Sequence, residues 1–175
     1  AAQIESQLPA LTSLERLASV SDALVGLRDI DPGHRLFGRV AASVEPLLGR
    51  NYEAITGIAT VDNIVAFERR YVPAFEAVGL TEAASRVRAR RERLVERRDE
   101  LVAQARTLAA APGTRTAAGA SIEAVIDQLR AVAPTDSNLD AIVTAAVSEL
   151  RREAQRLSGE RKWDEARAAL NAALS

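Results

Sequence analysis

Residues 86–101 read RVRARRERLVERRDEL, and this stretch decides the fold because its apolar residues recur at helical spacing. At about 100° per residue, Leu94, Leu101 and Leu108 fall on one face of a helical wheel, and valines widen that face. Acidic side chains occupy the opposite face. The pattern predicts a long amphipathic helix over about 81–111.

A row of arginines runs between the apolar and the acidic faces of this helix. We name it the arginine ridge, and it consists of Arg86, Arg90, Arg93 and Arg97. Three interpretations are open: a solvated or internally paired helix face, a surface for an acidic protein partner, or a surface for nucleic acid. Between positions 86 and 98 there is no amide or aromatic side chain to read or stack bases. A nucleic-acid contact would therefore be made to phosphates, without sequence preference and with strong salt dependence.

Two further arginines, Arg91 and Arg98, project into the apolar sector of the same wheel. Burying a guanidinium costs on the order of several kcal/mol of folding free energy unless the group is paired and hydrogen-bonded. Acids on neighbouring helices are one solution, and Glu68 and Glu76 are candidates. The heads can instead lie at the edge of the core, or the face can be offered to a partner. Together with the ridge, these two residues complete the candidate partner-binding set.

The composition is that of a folded protein, with 47% hydrophobic and 27% charged residues among 175. The formal net charge is −1, but residues 86–98 hold seven basic and two acidic residues, so positive charge is concentrated there. No apolar run approaches the roughly 20 residues that span a bilayer, and we expect a cytoplasmic protein. One lysine against twenty-two arginines, with abundant alanine, indicates a GC-rich genome, and we expect a module of a larger bacterial protein.

Helical spacing recurs along the rest of the chain, and strand patterns are almost missing. The sequence predicts an all-α fold, an irregular antiparallel bundle of about seven or eight helices around the long central one. We expect one domain over 1–175, with 1–111 and 121–175 as candidate sub-bundles and 112–120 as a loop. Pro46 is predicted to disturb or end one helix, and Pro73 to kink or divide another.

The last two predicted helices carry small and large residues at positions that resemble one tetratricopeptide repeat. The resemblance covers about one repeat, and no second copy occurs at the required period of about 34 residues. Arg161 and Lys162 stand where the family places a glycine before the second helix. Any tight helical hairpin also explains the pattern. The residues concerned are Ala154, Leu157, Trp163, Asp164, Glu165, Ala166, Leu170 and Ala173.

Catalytic chemistry has few residues to use in this chain. Cysteine is absent and His34 is the only histidine, which excludes a zinc site of ordinary type. Asp31 precedes Pro32 and is predicted to cap the helix that the proline opens. The stripe of Phe67, Tyr71 and Phe75 is either core or a groove for a partner helix.

The sequence therefore predicts a protein that is not an enzyme and uses no cofactor. We expect a protein-interaction or structural module, with a protein partner or self-association and no membrane span. The alternative is a nucleic-acid-associated helical domain that contacts phosphates through the arginine ridge.

Overall fold

The structure of this chain is a computed structural model that describes residues 4–5, 11, 13–111 and 120–174. The described part is mainly helical and contains no strand, which confirms the all-α prediction. It contains eight long or short helices in the following order: α1 (Leu14–Ser19), α2 (Ser21–Ile30), α3 (Leu36–Thr56), α4 (Val61–Ala77), α5 (Thr81–Ala110), α6 (Ile122–Val132), α7 (Leu139–Gly159) and α8 (Trp163–Leu174).

Side-chain caps fix the starts of two helices. The Thr60 hydroxyl accepts a hydrogen bond from the Asn63 amide at 3.2 Å, and α4 begins at the next residue. The Ser121 hydroxyl accepts from the Ala124 amide at 3.4 Å at the start of α6. Each cap satisfies one backbone N–H that has no partner inside the first turn.

The start of α3 differs from the prediction. Asp31 does not cap a helix that opens at Pro32, because its Oδ1 accepts instead from the Gly33 amide at 3.3 Å within a turn. The helix begins at Leu36, whose amide donates to Nδ1 of His34 at 3.1 Å. The imidazole therefore satisfies a helix-terminal N–H in this position.

The prolines interrupt the helices less than expected. Pro46 was predicted to disturb or end its helix, and it does not end it, since α3 continues through it to Thr56. Pro73 likewise lies inside one continuous helix, α4. In α4 the neighbours Val72 and Ala74 are buried while Pro73 is exposed. Burial of the flanking apolar residues offsets the missing backbone hydrogen bond.

The chain divides into two compact units, residues 1–94 and 95–175, and the division falls inside α5. The predicted loop at 112–120 lies outside the described residues except for Ala120. The sub-bundle boundary proposed there stays a prediction.

In the first unit, α1 and α2 pack on α4, and α3 packs on α1 and α4. Its core consists of fully buried aliphatic and aromatic side chains. Tyr71 and Phe75 are buried, with their ring centroids 6.4 Å apart, and Phe67 lies half-buried against Tyr71 at 4.5 Å. The core interpretation of the aromatic stripe is therefore confirmed for Tyr71 and Phe75, while Phe67 lies at the edge of the core. Other fully buried members are Leu17, Leu24, Leu36, Val40, Val44, Ile64 and Val87.

In the second unit, α7 and α8 form a tightly packed hairpin, and α6 packs against α7. The carboxyl-terminal part of α5 contributes Leu101 and Leu108 to this core. Leu129 of α6 and Ile142 of α7 are buried with them. The fold thus places the arginines of α5 in two separate settings, one in each unit.

Candidate functional site

Arg91, which the helical wheel places in the apolar sector, is paired with an acid of the first unit. Its Nη1 donates to Glu68 Oε2 at 2.9 Å and to Oε1 at 3.2 Å. The Glu68 side chain is only 16% exposed. This is the first of the three outcomes considered for Arg91, a carboxylate supplied by a neighbouring helix, and Glu68 was one of the two candidates.

Arg88 shares the same acid and adds a second one. Its Nε lies 3.7 Å from Glu68 Oε1, and its Nη2 lies 2.6 Å from Glu76 Oε1. Arg88 was not among the predicted site residues, so its role was missed. Two arginines of α5 and two glutamates of α4 thus form a four-residue charged cluster, which we call the α4–α5 cluster.

Arg90, a member of the ridge, binds a backbone carbonyl. Its Nε and Nη2 donate to the Ile58 oxygen at 3.1 and 2.8 Å, and the side chain is half-buried. Ile58 lies in the connection between α3 and α4, outside both helices, so its carbonyl oxygen is available to a side-chain donor. The planar guanidinium makes both bonds from one side, which an ammonium group cannot do.

The two other ridge residues of the first unit are more accessible. Arg86 pairs with Glu82 one turn earlier on α5, and its side chain is half-exposed. Arg93 is exposed and has no hydrogen bond or ion pair with any residue that the structure describes. Glu96, three residues later on the same helix, does not pair with Arg93.

In the second unit, Arg98 faces the acid at the start of α7. Its Nε lies 3.8 Å from Asp136 Oδ2, and its Nη2 donates to Asp99 at 2.6 Å. Asp136 is only 7% exposed and also accepts from the backbone and side-chain nitrogens of Asn138, at 2.8 Å each. Arg98 therefore resembles Arg91, with its head at the edge of the core and turned toward a nearly buried carboxylate.

Arg97, the last member of the candidate set, contacts both its own helix and the neighbouring α6. It pairs with Glu100, three residues later on its own helix, at 3.3 Å. It also donates to Gln128 Oε1 of α6 at 2.8 Å. The structure therefore gives internal acceptors to Arg86, Arg90, Arg91, Arg97 and Arg98.

A second charged group occupies the end of α7, away from the predicted set. Arg156 donates to Glu153 and pairs with Glu160, and Lys162 lies 3.2 Å from Glu160. The hydrogen bond from Arg156 lowers the pKa of the Glu153 carboxyl, and the hydrogen bond from Lys162 lowers that of Glu160. All of these side chains are solvated, so the group is a surface ion-pair network of small energetic weight.

Two further kinds of feature, metal clusters and membrane-spanning helices, were sought in the part of the chain that the structure describes. It holds no cluster of three or more histidine or carboxylate side chains suited to a metal ion. None of its described helices combines the length and the apolarity needed to cross a bilayer.

Comparison with known proteins finds no match to this chain among protein families, curated proteins or solved structures. The resemblance of the α7–α8 hairpin to one tetratricopeptide repeat accordingly rests on its own residues.

Proposed function

We propose that this chain is a non-enzymatic helical module for protein interaction or structural support, in which the arginines of α5 hold helices together. The α4–α5 cluster carries the proposal. Glu68 is largely withdrawn from water, and it accepts two hydrogen bonds from Arg91 while Arg88 lies close by. Charges arranged this way satisfy one another and leave less positive potential for an external polyanion.

The cluster also shows why a dense run of arginines is compatible with a structural role. Each guanidinium offers five donors in a rigid fork and can serve a carboxylate or carbonyl on a neighbouring element. Arg90 uses this property on the Ile58 carbonyl, and Arg97 uses it on Gln128. Arg90 and Arg97 thus connect neighbouring elements by hydrogen bonds, Arg90 in the first unit and Arg97 in the second.

Exposed apolar side chains supply the interaction part of the proposal. Among the described residues, Ile30 is 85% exposed and Trp163 is 64% exposed. Tryptophan is enriched at the centre of protein interfaces, where its large surface is removed from water. A protein partner for the exposed surface of this module explains why such a side chain stays outside the core.

The alternative, contact with nucleic-acid phosphates, is favoured by one observation. Arg93 is exposed and has no ion partner among the described residues, and the half-exposed Arg86 lies on the same ridge. A phosphate could bind there without displacing a buried carboxylate.

A titration of labelled duplex and single-stranded DNA, followed by fluorescence anisotropy, tests the two functions. Wild type is compared with Arg93→Glu and with Arg167→Glu, a matched change at an exposed arginine of α8. The interaction module is expected to show no saturable binding at about 150 mM salt and no difference between the two variants.

The opposite result is equally well defined. Saturable binding that weakens steeply with salt, and that Arg93→Glu reduces while Arg167→Glu does not, would establish the phosphate-binding alternative. Each lost phosphate contact lowers the slope of log affinity against log salt by about one.

A further inference from the structure

The second unit contains a groove between α5 and α7 with a floor of small side chains. Its volume is about 340 Å³, within the range of sites that take up a side chain or small ligand. Ala110 of α5 and Ala141 and Ala145 of α7 present exposed methyl groups to it, above the buried Ile142. Covering these methyl groups with a flat apolar side chain is favourable, because it removes apolar surface from water.

A cation without an acidic partner lies at the edge of this groove. Arg106 donates to the Oδ1 atom of Asn138, a neutral amide, and no described carboxylate pairs with it. Glu149, which also lines the groove, is already paired with Arg152. The groove therefore combines an apolar floor with one uncompensated positive charge.

The start of α8 carries the complementary chemistry. Trp163 is 64% exposed, and the next two residues, Asp164 and Glu165, are exposed and have no ion partner among the described residues. One flat aromatic side chain thus stands beside two free carboxylates. We call this group the tryptophan knob.

The turn before α8 is closed by a backbone hydrogen bond, and the knob does not fill the groove of its own chain. The Lys162 amide donates to the Leu157 carbonyl at 2.9 Å, and Ala166 is buried against the hairpin. Trp163 is not among the residues that line the groove. A preorganised group loses little conformational entropy on binding, which favours its use in an interface.

We infer that the tryptophan knob of one copy docks into the α5–α7 groove of a second copy, with Trp163 over the alanine floor and Asp164 or Glu165 facing Arg106. The inference rests on the proposed interaction function and names the partner as the chain itself. Charge and apolar surface match on the two sides, and both belong to the same unit.

Sedimentation velocity and the fluorescence of Trp163, the only tryptophan, test this inference together. As the concentration of full-length chain rises, we expect a higher weight-average sedimentation coefficient and a blue shift of emission as the indole leaves water. A small interface with one aromatic anchor favours weak association.

Variants on both sides of the contact give the matched comparison. Trp163→Ala, Arg106→Glu and Ala145→Glu should each weaken association by about tenfold or more, whereas the control Arg93→Glu on α5 should not. Reversing both sides, with Arg106→Glu combined with Asp164→Arg and Glu165→Arg, should recover part of the affinity. Circular dichroism verifies that each variant is folded, and recovery by the reversed pair keeps the test informative if one single variant unfolds.

A monomer at every concentration up to about 1 mM, or association that Trp163→Ala and Arg106→Glu leave unchanged, would overturn the inference. Either result would leave the proposed function standing, since that is judged separately by DNA binding. Salt-sensitive DNA binding through Arg93 would overturn the proposed function whatever the oligomeric state.

Discussion

Arg91 Nη1 donates to both carboxylate oxygens of Glu68, at 2.9 and 3.2 Å, and so joins helix α5 to helix α4. Arg88 approaches the same carboxylate at 3.7 Å. One acid on α4 therefore binds two arginines of the run, as in the internally paired interpretation of that helix face.

Glu68→Ala is expected to destabilise the protein by about 1–2 kcal/mol, because it leaves the half-buried Arg91 without its acceptor. Glu68→Gln keeps the shape but loses the charge and should cost less. The control is Glu92→Ala, since Glu92 is exposed and has no partner among the described residues. Urea unfolding monitored by circular dichroism measures all three, and equal midpoints would refute the structural role of the α4–α5 cluster.

Arg90→Lys should lower the free energy of unfolding by about 0.5–1.5 kcal/mol. Lysine keeps the charge but cannot reproduce the paired donation to the Ile58 carbonyl. Arg93→Lys makes the same chemical change at an exposed ridge position and should be neutral. If the two substitutions shift the thermal midpoint by the same amount, the carbonyl contact contributes nothing.

Two helix ends use the same hydrogen-bond pattern with different residues in the left-handed position. After α4, Leu80 donates to Phe75 and Gly79 has φ 84°. After α7, Lys162 donates to Leu157 and Arg161 has φ 61°. Only glycine adopts this conformation without a steric cost.

Opposite substitutions should therefore have opposite effects. Gly79→Ala should destabilise by about 1 kcal/mol, and since no atom lies within 4 Å of an added Cβ, the cost is one of backbone conformation alone. Arg161→Gly should stabilise by about 0.5–1 kcal/mol. Thermal unfolding of both variants checks the signs, and a stabilising Gly79→Ala would contradict the argument.

Asp136→Ala is expected to cost about 1–3 kcal/mol, because Asp136 is nearly buried and serves both Asn138 nitrogens as well as Arg98. Asp136→Asn retains an acceptor oxygen for the Asn138 amide and should fall between wild type and alanine. Asp127→Ala removes an exposed acid of α6 and should change stability by less than about 0.5 kcal/mol. Guanidinium unfolding separates the three, and an Asp136→Ala variant as stable as Asp127→Ala would count against this reading.

The apolar period of the sequence was sufficient for the fold class and for the long helix, predicted over 81–111 and observed as Thr81–Ala110. The helix ends around prolines were harder to predict, because tertiary burial keeps Pro46 and Pro73 inside helices. Local helix propensity does not include the free energy of tertiary burial.

The same limit applies to the candidate site. The wheel position of Arg91 left three outcomes open for its charge, and Glu68 was one of the two acids named for the outcome that the structure shows. The Ile58 carbonyl could not be anticipated as the acceptor for Arg90, since every residue carries such an oxygen and only the fold brings one within reach. The exposure of Trp163 likewise depends on how α8 packs, which its own sequence does not state.

Helix α5 spans about 45 Å at 1.5 Å per residue and passes from one compact unit into the other without a break. Val87 is buried on the first side of the boundary and Leu101 on the second. Local melting of either stretch would cost the other its next turn of backbone bonding, because helical order propagates along the chain. The turns of α5 on either side of Leu94 are therefore expected to lose amide protection together.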